Sequence, residues 1–229
     1  MNYEQARFNM IEQQIRPWEV LDNQVLSLLA VVKREDFVPP AHKALAFVDM
    51  EIPLPPQTNL SQCMLAPKVE ARILQELAVQ KHEKVLEIGT GSGYFAALLA
   101  HRGQQVISLE IDPALAQMAR DNLQRAGIYN AEVRTGDGAA NLAQAVSSND
   151  PLRGPFDVIV LSGSVAEVPA SLLSMLKVGG RLSAIVGSEP VMRATLVTRA
   201  GEDAWRTTQA WDTVAPRMLN FPEPSRFSF

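Results

Sequence analysis

The chain has 229 residues, 47% of them hydrophobic and 20% charged, with a formal net charge of −4. That length suits one large α/β unit with an added segment, and the acidic balance excludes an extended nucleic-acid surface, which is normally basic. No apolar run approaches the roughly 20 residues of a membrane-spanning helix, the polar start lacks a signal-peptide pattern, and a lone cysteine, Cys63, precludes an intrachain disulfide and fits a reducing cytoplasm.

Apolar residues at helical spacing (Ala6, Met10, Ile11, Ile15) predict a helix from Tyr3 to Ile15, ended by Arg16-Pro17. Asp22 is a good N-cap for a second helix through Val32. Phe37-Val38-Pro39-Pro40 breaks the chain before a short helix at Ala41–Phe47. Residues 49–66, with Pro53, Pro55 and Pro56, read as a long loop, and Pro67 suits the first turn of a helix to Val79. An alternating region follows: strand 84–88, helix 93–102, strand 105–110, helix 113–126, strand 131–135, a short helix near 138–146, strand 156–161, helix 169–176 and strand 181–186, which Gly179-Gly180 turns into. Alternation of this kind implies an α/β fold with a parallel, doubly wound sheet. Ala194–Arg199 and Trp205–Thr213 favour an antiparallel hairpin at the sheet edge, and the tail from Phe221 reads as irregular. The expected organisation is an N-terminal helical segment with a loop over 1–66 and a compact α/β unit over 67–229.

Glu87-Ile-Gly89-Thr90-Gly91-Ser92-Gly93 closes the strand at Val85-Leu86 and opens the next helix. Glycines there let the backbone turn tightly and approach a ligand, and the helix start aims its N–H groups into the same space. The dinucleotide order G-x-G-x-x-G fails because its third glycine position is Tyr94, and no Lys-Ser or Lys-Thr completes a phosphate loop. The remaining spelling, acidic-x-G-x-G-x-G, resembles the first motif of class I S-adenosylmethionine-dependent methyltransferases. Glu87 suits a cofactor with no phosphate, a sulfonium and an ammonium. Glu110 ends the next strand 19 residues after Gly91, where a carboxylate accepts from ribose hydroxyls. Gly136-Asp137-Gly138 ends the third strand, where the Asp can reach an adenine amino group. Alone, Glu110 is compatible with a solvated strand end and Asp137 with a turn residue; in order at three successive strand ends, they point to one ligand.

Several segments carry a narrower resemblance: Met10-Ile-Glu-Gln-Gln-Ile-Arg-Pro17, Val32-Lys-Arg-Glu-Asp-Phe-Val-Pro39, the glycine loop through Tyr94, Gly136-Asp137-Gly138 and Pro155-Phe-Asp-Val-Ile-Val160. Over about Met10 to Val186 the chain resembles the protein-L-isoaspartate O-methyltransferases, the second segment being similar to their "PREEFVP". The resemblance implies a seven-stranded class I methyltransferase (Rossmann-like) sheet with an N-terminal helical addition. It implies transfer of methyl to the carboxyl of isoaspartyl residues in damaged proteins, S-adenosyl-L-methionine as donor and S-adenosyl-L-homocysteine as product. The cofactor-binding residues it implies are Glu87, Gly89, Thr90, Gly91, Ser92, Gly93, Glu110, Ile111, Gly136, Asp137, Gly138 and Ser162. A protein or peptide is the expected substrate, with a small-molecule acceptor as the alternative and no membrane partner.

The chain departs from that family in the acceptor loop. The family pattern Gly-x-Gly-Gln-Thr-Ile-Ser-x-Pro, whose Ser contacts the substrate carboxyl, is replaced by Pro55-Pro-Gln57-Thr58-Asn-Leu-Ser61-Gln62-Cys63-Met64-Leu65-Ala66-Pro67. Alignment without a gap from Pro67 to Val85 puts Leu65 on the serine, Gln62 on the Gln and Cys63 on the Thr. The other alignment keeps Gln57-Thr58 and puts Ser61 there. The first is favoured because a helix resists insertion and a Pro-rich loop tolerates it. The family's Thr-Ala-Ala-Pro-Pro-Glu also changes, to Ser162-Gly-Ser164-Val-Ala-Glu167. These changes leave open a different acceptor, or a cofactor-binding relative without catalysis. Ser61 and Leu65 are therefore the two candidates for the catalytic position. His42, His82 and His101 read as solvated surface residues, Cys63 as packing, and Trp18, Trp205 and Trp211 as core. No His, Cys and carboxylate spacing suggests a metal site.

Overall fold

The protein is described by a computed structural model covering residues 2–55, 62–140 and 151–223. Helix α1 (Tyr3–Met10) starts where the Asn2 side chain accepts from Gln5 N (3.2 Å). It continues as a π-helical turn, Ile11–Ile15, and a 3₁₀ turn, Arg16–Trp18. Helix α2 (Asn23–Val31) begins as expected, with Asp22 Oδ1 accepting from Gln24 N at 2.7 Å and Val25 N at 3.4 Å. Residues Pro40–Phe47 form a 3₁₀ helix, and Ile52–Pro53 (β1) pairs antiparallel with Cys63–Met64 (β2). Helix α3 (Pro67–Leu77) follows, with Pro67 in its first turn.

The main sheet contains β3 (Lys84–Ile88), β4 (Gln105–Glu110), β5 (Ala131–Thr135), β6 (Phe156–Val165), β7 (Leu176–Ser188), β8 (Val191–Arg199) and β9 (Trp205–Thr213), in the order β5-β4-β3-β6-β7-β8-β9. Strands β5 to β7 are parallel, and β8 and β9 pair antiparallel at the edge. Helices α4 (Tyr94–Arg102) and α5 (Pro113–Arg125) connect the first three strands. The seven-stranded α/β architecture and its antiparallel edge are as the sequence implied.

Several elements differ from the expected ones: the loop expected over 49–66 contains the β1–β2 pair, β6 runs on to Val165, and β8 begins at Val191. Gly179-Gly180 does not precede a strand but lies inside β7, because β6 pairs with β7 on both sides of an irregularity, Phe156 with Leu176 and Val158 with Arg181. The helix expected at 169–176 shortens to Ala170–Ser174, since Leu176 already joins the sheet. The expected helix near 138–146 is described only at 138–140, which are helical.

Side chains alternate across the central strands, and both faces are covered, so the strands read as continuous apolar runs. Val85, Val106, Val158 and Ile185 face a cluster that also takes Met10, Ile15, Leu29 and α4. Leu86, Ile107, Ile159 and Leu182 face the other, closed by Leu172, Met175 and Phe221. The N-terminal segment thus shares the sheet's core. Of the tryptophans, read as core in preference to pocket lining, Trp211 is half-buried and packs against the first cluster, whereas Trp18 is 51% and Trp205 38% exposed; Trp18 and Trp211 line a surface pocket. Trp18, Trp205 and Trp211 each stack with a cation, Lys68, Arg199 and Arg72 respectively.

Candidate functional site

From β3 the chain moves through β4 to β5 on one side and later places β6 on the other, so the strand order reverses between β3 and β6. In such sheets a crevice opens beyond the C-terminal strand ends at that point. The glycine loop sits there. Gly89 (φ 94°) and Gly91 (φ 54°) both adopt left-handed backbone. A Cβ at Gly91 would lie 3.2 Å from Leu54 Cδ1, and one at Gly89 3.3 Å from Met218 Cε. The loop therefore offers bare backbone to the crevice.

Glu87 is fully buried and accepts from Ser108 Oγ (2.6 Å) and Ser162 Oγ (3.0 Å), which ties β3 to β4 and β6. Burial raises its carboxyl to about 8, against the lowering effect of the two serines and with a further upward push from Glu110. Glu110 accepts from Gly91 N at 2.8 Å and Asp112 N at 3.1 Å, so it holds the loop in place; burial raises its pKa too, while those backbone N–H groups lower it. Ile111 and Leu115 continue the wall past Glu110.

The resulting cleft, about 100 Å³, brings together Gly89, Gly91, Glu110, Ile111 and Ser162 from the expected set, along with Leu65. An inner chamber shares Cys63, Leu65, Gly89, Gly91 and Ser162 with it and adds Glu87, Thr90 and Ser92. Four expected residues line neither space. Gly93 packs against Ala119, and Gly136 N donates to Glu110 O. Gly138 lies against Ile88, where a Cβ would come within 2.4 Å of Cγ2. Asp137 caps the following helical turn through Ala139 N (2.8 Å), and its other oxygen accepts from Asn220 Nδ2 (2.7 Å).

On the acceptor side, Leu65 is buried and its carbonyl accepts from Arg34 Nη2 (3.0 Å). Gln62 Nε2 donates to Asp112 Oδ2 (3.1 Å). Ser61, Gln57 and Thr58 lie outside the described residues. Burial, with Glu51 beside it, pushes the Cys63 thiol up to about 12, so it stays a neutral packing group. His82 and His101 are exposed, and His42 is half-buried with a partner; none lines the cleft.

Sequence reasoning missed two contributors. The stretch Pro216–Leu219 crosses the mouth of the cleft and joins the end of β6 by a single parallel bridge, Ser164 to Arg217, with Ser164 N donating to Pro216 O (2.7 Å) and Met218 N to Ser164 O (2.9 Å). No periodicity in the tail signals this. The second is Glu70 on α3, which lines the inner chamber. It had a readable signal: a carboxylate on the stripe shared with Ile73, Leu74 and Leu77, all buried.

Residues 5–214 match the sequence model of the family described as Protein-L-isoaspartate(D-aspartate) O-methyltransferase. The chain is 37% identical to the protein-L-isoaspartate O-methyltransferase of Koribacter versatilis over 193 residues, 84% of this chain and 81% of that one. It is 34% identical to that of Herpetosiphon aurantiacus over 206 residues, 90% of this chain and 87% of the other. Among solved structures, a candidate protein-L-isoaspartate O-methyltransferase from Plasmodium falciparum, crystallised with S-adenosyl-L-homocysteine, superposes with a TM-score of 0.76 at 16% identity, covering 96% of this chain and all of that one. At that identity the likeness establishes the fold.

Proposed function

The chain belongs to the protein-L-isoaspartate(D-aspartate) O-methyltransferase family, and from that premise we propose that it transfers methyl from S-adenosyl-L-methionine to the free carboxyl of isoaspartyl residues in proteins. The observation that carries the reading is the convergence of Glu87, Glu110, Ser162 and the bare glycine backbone on one cleft at the switch point. The fit to the cofactor rests on this chain's own chemistry: a cradle that a Cβ would fill, with the carboxyls of Glu87 and Glu110 beside it and Arg217 at the mouth.

Bound there, the cofactor supplies a methyl group already activated on a sulfonium. The chain's residues position and enclose. Glu110 has lone pairs beyond its two backbone bonds for ribose hydroxyls. Glu87 and Ser162 line the inner part, toward the amino-acid end. Asp137 lies outside the cleft lining, held by Ala139 N and Asn220, so a contact with the adenine requires it to exchange the Asn220 bond for the ligand. Met218 and Leu219 exclude water from the mouth. A carboxylate nucleophile needs no general base, so alignment is the main catalytic contribution. In this division residues 67–229 hold the donor, and the segment before Pro67, with Leu65 or Ser61, faces the acceptor.

The test is labelled methyl transfer to an isoaspartyl peptide, with base-labile methyl ester expected. Binding of S-adenosyl-L-homocysteine with no transfer at high enzyme concentration would reject the acceptor and leave the donor assignment standing. One observation favours a second reading, the same donor with another acceptor: Leu65, the buried residue at the serine's place in the gap-free alignment, brings no hydroxyl to the cleft. That reading predicts methylation of a component in a cell extract that isoaspartyl peptide does not compete away.

A further inference from the structure

The inner chamber holds one polar group that the cofactor reading above leaves without a task. Glu70 is only 3% exposed, and among the described residues its Oε2 has no hydrogen-bond partner. The nearest cation is Arg34, whose Nε is 4.0 Å from it, beyond hydrogen-bonding range. The two Nη atoms of Arg34 donate to Ala46 O (3.1 Å) and Leu65 O (3.0 Å), which leaves its buried Nε facing Glu70 as a long ion pair with no hydrogen bond of its own. The Tyr94 hydroxyl on the same chamber is likewise buried and unpartnered. Buried polar groups in folded proteins are normally paired, so a carboxyl and a phenol left without partners beside a ligand cleft call for a ligand group.

The chamber narrows what that group is. Its volume is about 20 Å³, room for one water-sized group. It adjoins the cleft through Cys63, Leu65, Gly89, Gly91 and Ser162, and Glu110 and Ile111 do not line it. Two carboxyls, Glu70 and Glu87, line it; burial keeps both protonated in the ligand-free protein, and a cation entering the chamber takes the place of such a proton. Glu87 already accepts from two serines, whereas Glu70 has a free oxygen. A compact cation that donates several hydrogen bonds fits, and an ammonium is such a group.

We propose that Glu70 binds the ammonium at the amino-acid end of the methyl donor, with Glu87 on the chamber's opposite wall. This rests on the methyltransferase reading and adds a donor-specific contact from α3, an element outside the glycine-loop region. Tyr94 stands as a second oxygen for the same group.

The experiment compares S-adenosyl-L-homocysteine with 5′-methylthioadenosine, which lacks the amino-acid end, by calorimetry on the full chain and on Glu70→Gln. Loss of one charge-assisted hydrogen bond should weaken S-adenosyl-L-homocysteine roughly tenfold to a hundredfold and leave 5′-methylthioadenosine within about twofold, since the effect belongs to the missing group. A variant that binds S-adenosyl-L-homocysteine as tightly as the parent overturns the proposal. So does an equal loss for both ligands, which marks Glu70 as a structural partner of Arg34 only. If Glu70→Gln does not fold, the unaltered protein is tested with the desamino analogue of S-adenosyl-L-homocysteine: a preference of tenfold or more for the amino form supports the assignment, and equal affinity overturns it. Failure of the donor reading looks different, because then the unaltered protein binds neither adenosyl ligand.

Discussion

The two sides of the cleft are built in opposite ways. The donor side is a set of strand ends cross-linked by short polar contacts: Glu87 to Ser108 and Ser162, Thr90 to Ser108, and Glu110 to the loop backbone at Gly91. The acceptor side is a two-residue pairing of β1 and β2 followed by a buried leucine. The difference teaches where a family's chemistry can drift. Strand ends locked to one another tolerate little change, whereas a loop packed by apolar contacts accepts insertion and exchange of a hydroxyl for an alkyl group.

That contrast can be broken at several points. The largest effect is expected on the donor side at Gly91→Val: a branched side chain at φ 54° meets Leu54 and the left-handed backbone together. Affinity for S-adenosyl-L-homocysteine should fall more than a hundredfold in calorimetry, and near-normal affinity would show that the loop is not the cradle. Glu110→Ala comes next, with affinity down roughly tenfold to a hundredfold and a circular dichroism spectrum like that of the parent. Unchanged binding in this variant and in Asp137→Ala would move the site elsewhere.

On the acceptor side, Leu65→Ser restores a hydroxyl. If isoaspartyl carboxyl is the acceptor, kcat/KM on isoaspartyl peptide should rise about tenfold, the scale of one hydrogen bond to a charged group. A fall would mean that the leucine itself contacts the acceptor.

A smaller effect concerns pH. Burial, partly offset by Arg34 and reinforced by Glu87, raises Glu70 from 4.5 to about 8, and Glu87 is raised similarly. The folded protein therefore keeps protons that the unfolded chain releases between pH 4.5 and about 8. Stability is highest below pH 4.5 with respect to these groups and declines as pH rises through the window. The groups facing Glu70 are Arg34, Glu87, Tyr94 and Cys63. Ligand-free Tm should drop from pH 5.5 to pH 7.5, with a shallower slope in Glu70→Gln; parallel slopes would count against the titration of Glu70. Least is expected of Asn220→Ala, which frees one oxygen of Asp137: adenosyl-ligand affinity should change by threefold or less, and a larger loss would make the strap a main wall of the site.

Much of the donor side was legible because its signals are local. Short strand-like runs alternating with helical segments gave β3, β4 and β5, glycines at alternate positions gave the loop, and an acidic residue at each of two strand ends gave Glu87 and Glu110. The strand hidden by Gly179-Gly180 shows the limit: two glycines signal a turn equally well inside a bulge and between elements. The strap was illegible because its hydrogen bonds go to Ser164 and Asp137, the latter 83 residues away from Asn220.

By itself, then, the sequence determined the alternating fold, the family and the residues at the strand ends, since all of these follow from spacing within a few turns of chain. Only the tertiary structure decided that Pro216–Leu219 roofs the cleft, that Asp137 is held by Asn220, and that Glu70 lines the inner chamber with its Oε2 unpartnered among the described residues. Those are matters of which buried polar group finds a partner, and a partner is chosen by packing in space, which spacing along the chain does not encode.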